Sequence, residues 1–247
     1  MNIQIIASSS DGNCTHIYSE KANILIDIGI AARTVVSKTG RKAFDAIFIS
    51  HEHADHIRGA GTVGRATGAP IYINEHVYNK SKHILRDCNI VLYDAGESII
   101  IGDLEIQNFS SRHDSVYSYG YIVKHDEKRL AYLTDTGSWT KLMLKHLKDC
   151  DAYILETDYD HDALMAYEYY DDFLKERISS NWGHLGNDQT MRLIKQLKVI
   201  NPAFIVFAHL SKRTNTSDLV LAEAYSAFPD WNKDIFKVAP LDHELIL

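Results

Sequence analysis

The chain has 247 residues, 45% of them hydrophobic and 24% charged, with a formal net charge of −7. This balance describes a soluble globular chain and argues against coating of nucleic acid through charge alone. No apolar run approaches the ~20 residues of a membrane helix, and the N-terminal "MNIQIIASSSDGN" lacks the basic and long apolar regions of a secretory leader. Cys14, Cys88 and Cys150 are widely spaced with no CxxC. They read as buried free thiols, which implies a reducing, cytoplasmic setting.

Taken in chain order, "NIQIIAS", "HIYSE" and "ANILIDI" predict strands, followed by a short helix at "ARTVVSKTG". A strand at "DAIFIS" leads into a helix at "HIRGAGTVGRAT", and one at "PIYIN" into a helix at "EHVYNKSKHILRD". Strands then recur at "SIIIG", "LEIQNFS", "YGYIVK" and "RLAYLTD", before a helix at "WTKLMLKHLKD" and a strand at "AYILET". Helices at "DALMAYEYYDDFLKERIS" and "DQTMRLIKQLKVI", a strand at "AFIVFAH", a helix at "SDLVLAEAYSAF" and a strand at "IFKVA" complete the chain. Strands cluster ahead of helices, twice over. That order suits the α+β class, with two sheets packed face to face and helices outside. Four prolines, no Ser/Gly-rich linker and no low-complexity segment leave a single domain over residues 1–247 as the expectation.

Directly after the apolar "DAIFIS" comes "HEHADH". Isolated buried charge costs several kcal/mol or more unless paired or coordinated, so His51, His53, Asp55 and His56 together suggest a metal. Imidazole and carboxylate suit zinc and its neighbours. In extended backbone His51 and His53 share a face, while Asp55 and His56 follow at the turn and reach a second point, as two ions would need. The rival H-E-x-x-H zincin helix fails because Asp55 stands where its second histidine belongs. Glu52 is then a turn residue or one that supports the ligands. Further ligands are expected at strand ends. His113 follows "LEIQNFSSR", Asp135 follows "RLAYLT", and His209 ends "AFIVFA". His16, His76, His83, His125, His146, His161 and His243 have no clustered partners and read as ordinary surface or core histidines.

The string His51-x-His53-x-Asp55-His56, followed by His113, Asp135 and His209, resembles the metallo-β-lactamase superfamily. "SSSDGNC", "LIDIG", "TDTG", "LETDYD", "LKERI", "GHLGN" and "AHLSKRTN" are similar to its YycJ/WalJ-type branch, over essentially the whole chain. The resemblance implies an αββα four-layer sandwich of two similar halves with a dinuclear site at one edge. His51, His53 and His113 would hold one ion, Asp55, His56 and His209 the other, with Asp135 bridging. Glu156 and His184 resemble the glutamate and histidine that the ribonuclease Z branch sets beside its metals. Two departures concern the substrate entrance: Gly186 replaces the usual Ser after "GHL", and "MAYEYYDDFLKERI" lacks the branch's Gly- and Pro-containing lead. Between Asp135 and His209 there is no room for an inserted β-CASP domain, nor is a transfer-RNA-gripping arm visible.

The activity so implied is hydrolysis of phosphodiesters, as an exodeoxyribonuclease-like enzyme acting on DNA rather than RNA. Two divalent ions, zinc or manganese with iron also compatible, would serve it. Asp55 would orient the nucleophile, and His184 would protonate the leaving oxygen with Glu156 orienting its ring. Lys212 and Arg213 would touch a flanking phosphate. No membrane and no obligate protein partner are implied. A small-molecule hydrolase of cyclic phosphodiesters, thioesters or lactones would use the same metals without an extended groove.

Overall fold

Apolar runs fold as strands and amphipathic runs as helices, in two rounds. The computed structural model describes residues 1–241 and 243–247. The first round comprises β1 (Asn2–Ala7), β2 (Cys14–Tyr18), β3 (Asn23–Ile26), α1 (Ala32–Thr39), β4 (Ala46–Phe48), α2 (Ala54–Ile57), α3 (Ala60–Thr67), β5 (Ile71–Ile73), α4 (Glu75–Ser81) and β6 (Ile90–Leu92). In the second round β7 (Ser98–Ile101), β8 (Leu104–Ser110), β9 (Tyr119–His125) and β10 (Lys128–Leu133) precede α5 (Lys141–Leu147) and β11 (Ala152–Glu156). It continues through α6 (His161–Ala166), α7 (Asp172–Ser179), α8 (Asn187–Leu197), β12 (Phe204–Ala208), α9 (Ser217–Ala227) and β13 (Phe236–Val238). A last strand, β14 (Leu245–Ile246), returns to pair with β1.

Two seven-stranded sheets result, ordered β14-β1-β2-β3-β4-β5-β6 and β13-β12-β11-β10-β9-β8-β7. Each changes from antiparallel pairing (β1-β2-β3 and β7-β8-β9-β10) to parallel pairing (β3-β4-β5-β6 and β10-β11-β12-β13). The layering follows from which faces are apolar. Ile3, Ile17 and Phe48 of the first sheet pack with Leu104, Tyr121 and Val206 of the second in a core between the sheets. Val35, Val63 and Val77 cover the outside of the first sheet, and Met143, Leu193 and Val220 the outside of the second. The αββα sandwich is therefore present. The parallel strands of both sheets end toward the same edge, and that edge carries the site.

Several local expectations are corrected. "HIRGAGTVGRAT" is not one helix: it breaks at Gly59, whose backbone N–H donates to Ile28 O (2.8 Å), and where a Cβ would sit 2.1 Å from Ile30 O. "DALMAYEYYDDFLKERIS" also breaks. Tyr167 is extended after α6, and Asp171 caps α7 by accepting from Leu174 N. Only Glu75–Ser81 of "EHVYNKSKHILRD" is α-helical. Strands β6 and β14, three and two residues long, are too short to show a period of two. Cys14 and Cys150 are buried as expected, but Cys88 is only partly so.

Gly29 lets the two loops that build the site approach each other. Its N–H donates to Asn13 O (2.7 Å), and a Cβ there would lie 1.5 Å from Asp55 O. Since the obstruction is backbone, Gly29→Ala should cost more than the ~1–3 kcal/mol of ordinary overpacking. Urea unfolding of the variant checks this; an unchanged midpoint would show that the loops can part freely.

Candidate metal centre

The carboxyl ends of apolar strands supply the site. Asp27 follows β3, His51 lies three residues past β4, Asp135 lies two past β10, Glu156 closes β11 and His209 follows β12. Asp27, Asp135 and His209 adopt φ of 57°, 55° and 58°. This left-handed conformation is uncommon for any residue with a Cβ, so each strand end is held in a sharp turn. The site has consequently been built with stored backbone strain.

Outer hydrogen bonds fix the tautomers of three imidazoles. His113 Nδ1 faces Gly183 O at 2.9 Å and must carry a proton. His56 Nδ1 lies 2.7 Å from Asp27 Oδ2, so it donates to that carboxylate. Ser50 Oγ donates to Asp27 Oδ2 (2.7 Å), which leaves it to accept from His51 Nδ1 at 3.0 Å. His209 Nδ1 points toward Glu156 Oε1 at 3.4 Å. In the neutral ring, His113, His56 and His51 each then present a bare Nε2 lone pair inward.

The inward-facing atoms converge. His113 Nε2 and His53 Nδ1 are 3.1 Å apart, and the buried His51 Nε2 has no hydrogen-bond partner. Asp135 Oδ2 is 3.1 Å from His56 Nε2, and Asp135 Oδ1 is 3.5 Å from His209 Nε2 and 3.7 Å from His113 Nε2. Asp55 Oδ2 approaches His56 Nε2 (3.3 Å) and His209 Nε2 (3.4 Å). His53 Nδ1 can donate to His113 Nε2, but His51 Nε2 stays unpartnered beside them, and a cation would satisfy all three nitrogens. Donor atoms of His51, His53 and His113, of His51, His56 and Asp135, and of Asp55, His56 and His209 each lie within 4.8 Å of one another. Nitrogen and carboxylate donors at this spacing fit first-row divalent ions.

Without an ion, the carboxylates hold protons on the rings. Burial opposes charge at His56 and His209, yet Asp135, Asp27 and Asp55 keep His56 well above its usual range, and Asp135, Asp55 and Glu156 do so for His209. His184 is opposed by burial but raised to about 9 by Glu156 and Asp158. Burial pushes His51 and His113 down. Between the ~6.5 of an unfolded histidine and about 9, the metal-free native state retains protons that the unfolded chain has lost. Its stability should therefore fall as pH rises through that window. His51 and His113 are neutral in both states there and contribute nothing. Chelator-treated protein should lose urea resistance from pH 6.5 to 9; a flat or rising midpoint would contradict the pairing. Metal-loaded protein should lack this decline, because ion binding requires deprotonated imidazoles.

His184 and Glu156 stand beside these groups. His184 Nδ1 donates to Glu156 Oε1 at 2.7 Å, and its ring stacks on His209 (centroids 5.3 Å, 17° between planes). Glu156 Oε2 accepts from Thr136 N (2.8 Å) and Leu185 N (3.2 Å), so the carboxylate is fixed at both oxygens. Gly186 caps α8, and the Asn187 side chain donates to Asn215 Oδ1. Glu52 Oε1 accepts from Val116 N (3.0 Å) and ties the His51 loop to the segment after His113. Lys212 pairs with Asp11 (2.7 Å), and Arg213 donates to the Tyr167 hydroxyl (3.1 Å).

Asp27, Ser50, Asn13 and Ser8 were not anticipated as site residues. Asn13 Nδ2 lies 3.2 Å from Asp55 Oδ2, and Ser8 Oγ accepts from His209 N (2.7 Å). Asp27 follows an apolar strand just as His209 does, and that signal alone could have found it.

The fold and donor set define a metal-dependent hydrolase of the metallo-β-lactamase kind. Residues 22–210 match the beta-lactamase superfamily domain, and the chain belongs to that family. It is 32% identical over 225 residues to exodeoxyribonuclease WalJ of Streptococcus pneumoniae, covering 87% of this chain and 83% of that protein. To exodeoxyribonuclease YycJ of Bacillus anthracis it is 26% identical over 227 residues, covering 89% and 86%. The metallo-beta-lactamase fold protein YhfI from Bacillus subtilis superposes with a TM-score of 0.78 at 17% identity, over 99% of this chain and 98% of that one. Among the described residues, no helix is long and apolar enough to cross a membrane.

Proposed function

We propose that the protein is a phosphodiesterase acting on nucleic acid, with DNA as its substrate and two divalent ions at the centre. The observation that carries this reading is the pair of His/Asp groups meeting at Asp135, with the Glu156–His184 pair opening beside them. Similarity to two exodeoxyribonucleases over most of the chain supports the substrate class. Bound there, divalent ions would supply Lewis-acid activation of water and of the scissile phosphate.

This chain's own residues do the rest. Asp55, steadied by Asn13, orients the nucleophile. Glu156 holds His184 by Nδ1, leaving Nε2 to deliver a proton to the leaving oxygen. Lys212 and Arg213 meet a flanking phosphate, exchanging Asp11 and Tyr167 for it. The three unpaired thiols suit a cytoplasmic location, where they stay reduced.

A metal-loaded activity panel tests the reading, using single-stranded DNA, duplex DNA, RNA and bis(p-nitrophenyl) phosphate with a His51→Ala control. Activity on the chromogenic diester with none on any nucleic acid would reassign the protein as a small-molecule hydrolase. Removing Lys212 and Arg213 together should weaken oligonucleotide binding and lower its salt slope by about 1–2. Equal losses on the oligonucleotide and the small diester would deny these residues a phosphate contact.

A further inference from the structure

Two buried atoms beside the metal centre face each other without touching. Asp158 Oδ1 and His209 Nδ1 each lack a hydrogen-bond partner among the described residues, and they lie 3.7 Å apart. Asp158 is 5% exposed and stands two residues past β11. Its backbone is tied on both sides: the N–H donates to Leu185 O (2.8 Å), and the carbonyl accepts from Ser211 N (2.8 Å) and the Asn215 side chain (3.2 Å). His209 is tied in turn by Ser8 Oγ, which accepts from its N–H (2.7 Å). Both side chains are thus delivered to one place by fixed backbone. A buried carboxylate left alone there is costly.

Two carboxylates compete for the His209 Nδ1 proton. Glu156 Oε1 is nearer, at 3.4 Å, but it already accepts from His184 Nδ1 at 2.7 Å. Glu156 Oε2 is taken by Thr136 N and Leu185 N. If His209 bonded to Glu156, Asp158 would stay alone. If it bonds to Asp158, both rings and both carboxylates are served, and native interiors settle on arrangements that leave no buried polar group unpaired. A movement of about half an ångström closes the gap to hydrogen-bonding range. Arg177, the cation on the same cavity wall, is already paired with Asp114 at 2.5 Å.

We propose that Asp158 is the positioning residue for His209. Its carboxylate accepts the Nδ1 proton, which fixes a tautomer that no other hydrogen bond fixes and keeps the Nε2 lone pair aimed at Asp55 and Asp135, 3.4 and 3.5 Å away. A carboxylate on the far nitrogen also makes an imidazole a more basic metal ligand. The proposal rests on the reading of His209 as a ligand. The stacked rings of His184 and His209 are then served separately, Glu156 holding the proton donor and Asp158 the ligand. Neither ring can borrow the other's partner, so protonation of one leaves the other in place.

The test joins zinc affinity, measured by chelator competition on the full-length protein, to the imidazole N–H signals of zinc-loaded protein carrying isotope-labelled histidine. Asp158→Ala should weaken zinc binding about 10–100-fold. Asp158→Asn should cost less, because the amide still accepts the proton but carries no charge. The His209 Nδ1–H signal, identified by its loss in His209→Gln, should lie far downfield in the wild type. It should move upfield in Asp158→Asn and vanish into solvent exchange in Asp158→Ala. Glu156→Gln should move the His184 signal and leave that of His209 in place. Unchanged zinc affinity in Asp158→Ala would overturn the proposal, as would a His209 signal that follows Glu156→Gln instead. A raised KM for an oligonucleotide at unchanged zinc affinity would also overturn it, by assigning Asp158 to substrate. Should Asp158→Ala fail to fold, the near-isosteric Asp158→Asn still decides through its signal. If His209→Gln leaves zinc affinity intact, His209 is no ligand and the underlying reading falls; if it loses zinc while the Asp158 variants do not, only the Asp158 assignment is wrong.

Discussion

Asp135→Ala is expected to reduce metal occupancy throughout the centre, not at one position alone. Wild-type protein, purified without chelator and supplemented with zinc or manganese, should carry up to two ions per chain by elemental analysis. Asp135 is buried and lies within 3.1–3.7 Å of nitrogens from His56, His209 and His113, which belong to both ligand groups. Burial would raise its pKa, but the His209 and His56 charges hold it well below the usual carboxylate range, so it is ionised and ready to bind. Losing an outer partner of a metal ligand costs about 10–100-fold in affinity or activity; losing a shared ligand should exceed that. Occupancy that never passes one ion in the wild type would refute the dinuclear arrangement. Loss of a single ion in Asp135→Ala would refute the bridge.

His184→Ala should keep fold and metal yet lose roughly 10²–10⁴-fold in kcat on an oligonucleotide. The Glu156 contact occupies Nδ1 and raises the ring to about 9, so His184 enters neutral pH able to give a proton. A nitrophenolate leaves without needing one, and bis(p-nitrophenyl) phosphate should be slowed far less. Glu156→Gln should follow the same pattern more weakly, because the amide still accepts from Nδ1 but carries no charge. The opposing possibility is that His184 is itself a ligand, since its donor atoms also group with Asp135, Glu156 and His209. Metal loss in His184→Ala, or equal slowing of both substrates, would give it that role.

The candidate ligands stand out in the sequence because each breaks a rule locally: His113, Asp135 and His209 are polar groups placed where an apolar strand should enter the core. The turns that aim them do not. Left-handed backbone is signalled by glycine, and Asp27, Asp135 and His209 adopt it without one, held by surrounding contacts such as Ser8 Oγ to His209 N. The split of "DALMAYEYYDDFLKERIS" was hidden for a related reason. Its apolar spacing runs on through Leu164 and Leu174, and only the capping of Leu174 N by Asp171 shows where the second helix starts. Two sheets with outer helices could be anticipated from strands clustering ahead of helices. The edge strands β6 and β14 could not: at three and two residues they show no period of two, and β14 pairs with β1 at the other end of the chain.

Each group of candidate ligands draws on both sheets: His51, His53, Asp55 and His56 follow β4 of one, while His113, Asp135 and His209 follow strands of the other. An ion held between them is therefore a rivet across the sandwich, closing a loop that runs from His56 to His209. The edge cannot splay without releasing it. By mass action such an ion adds about 2.7 kcal/mol to stability at a hundred times its dissociation constant. Supply of metal would then govern more than turnover: it would set how often the two halves gape, and so how long the chain outlasts a protease.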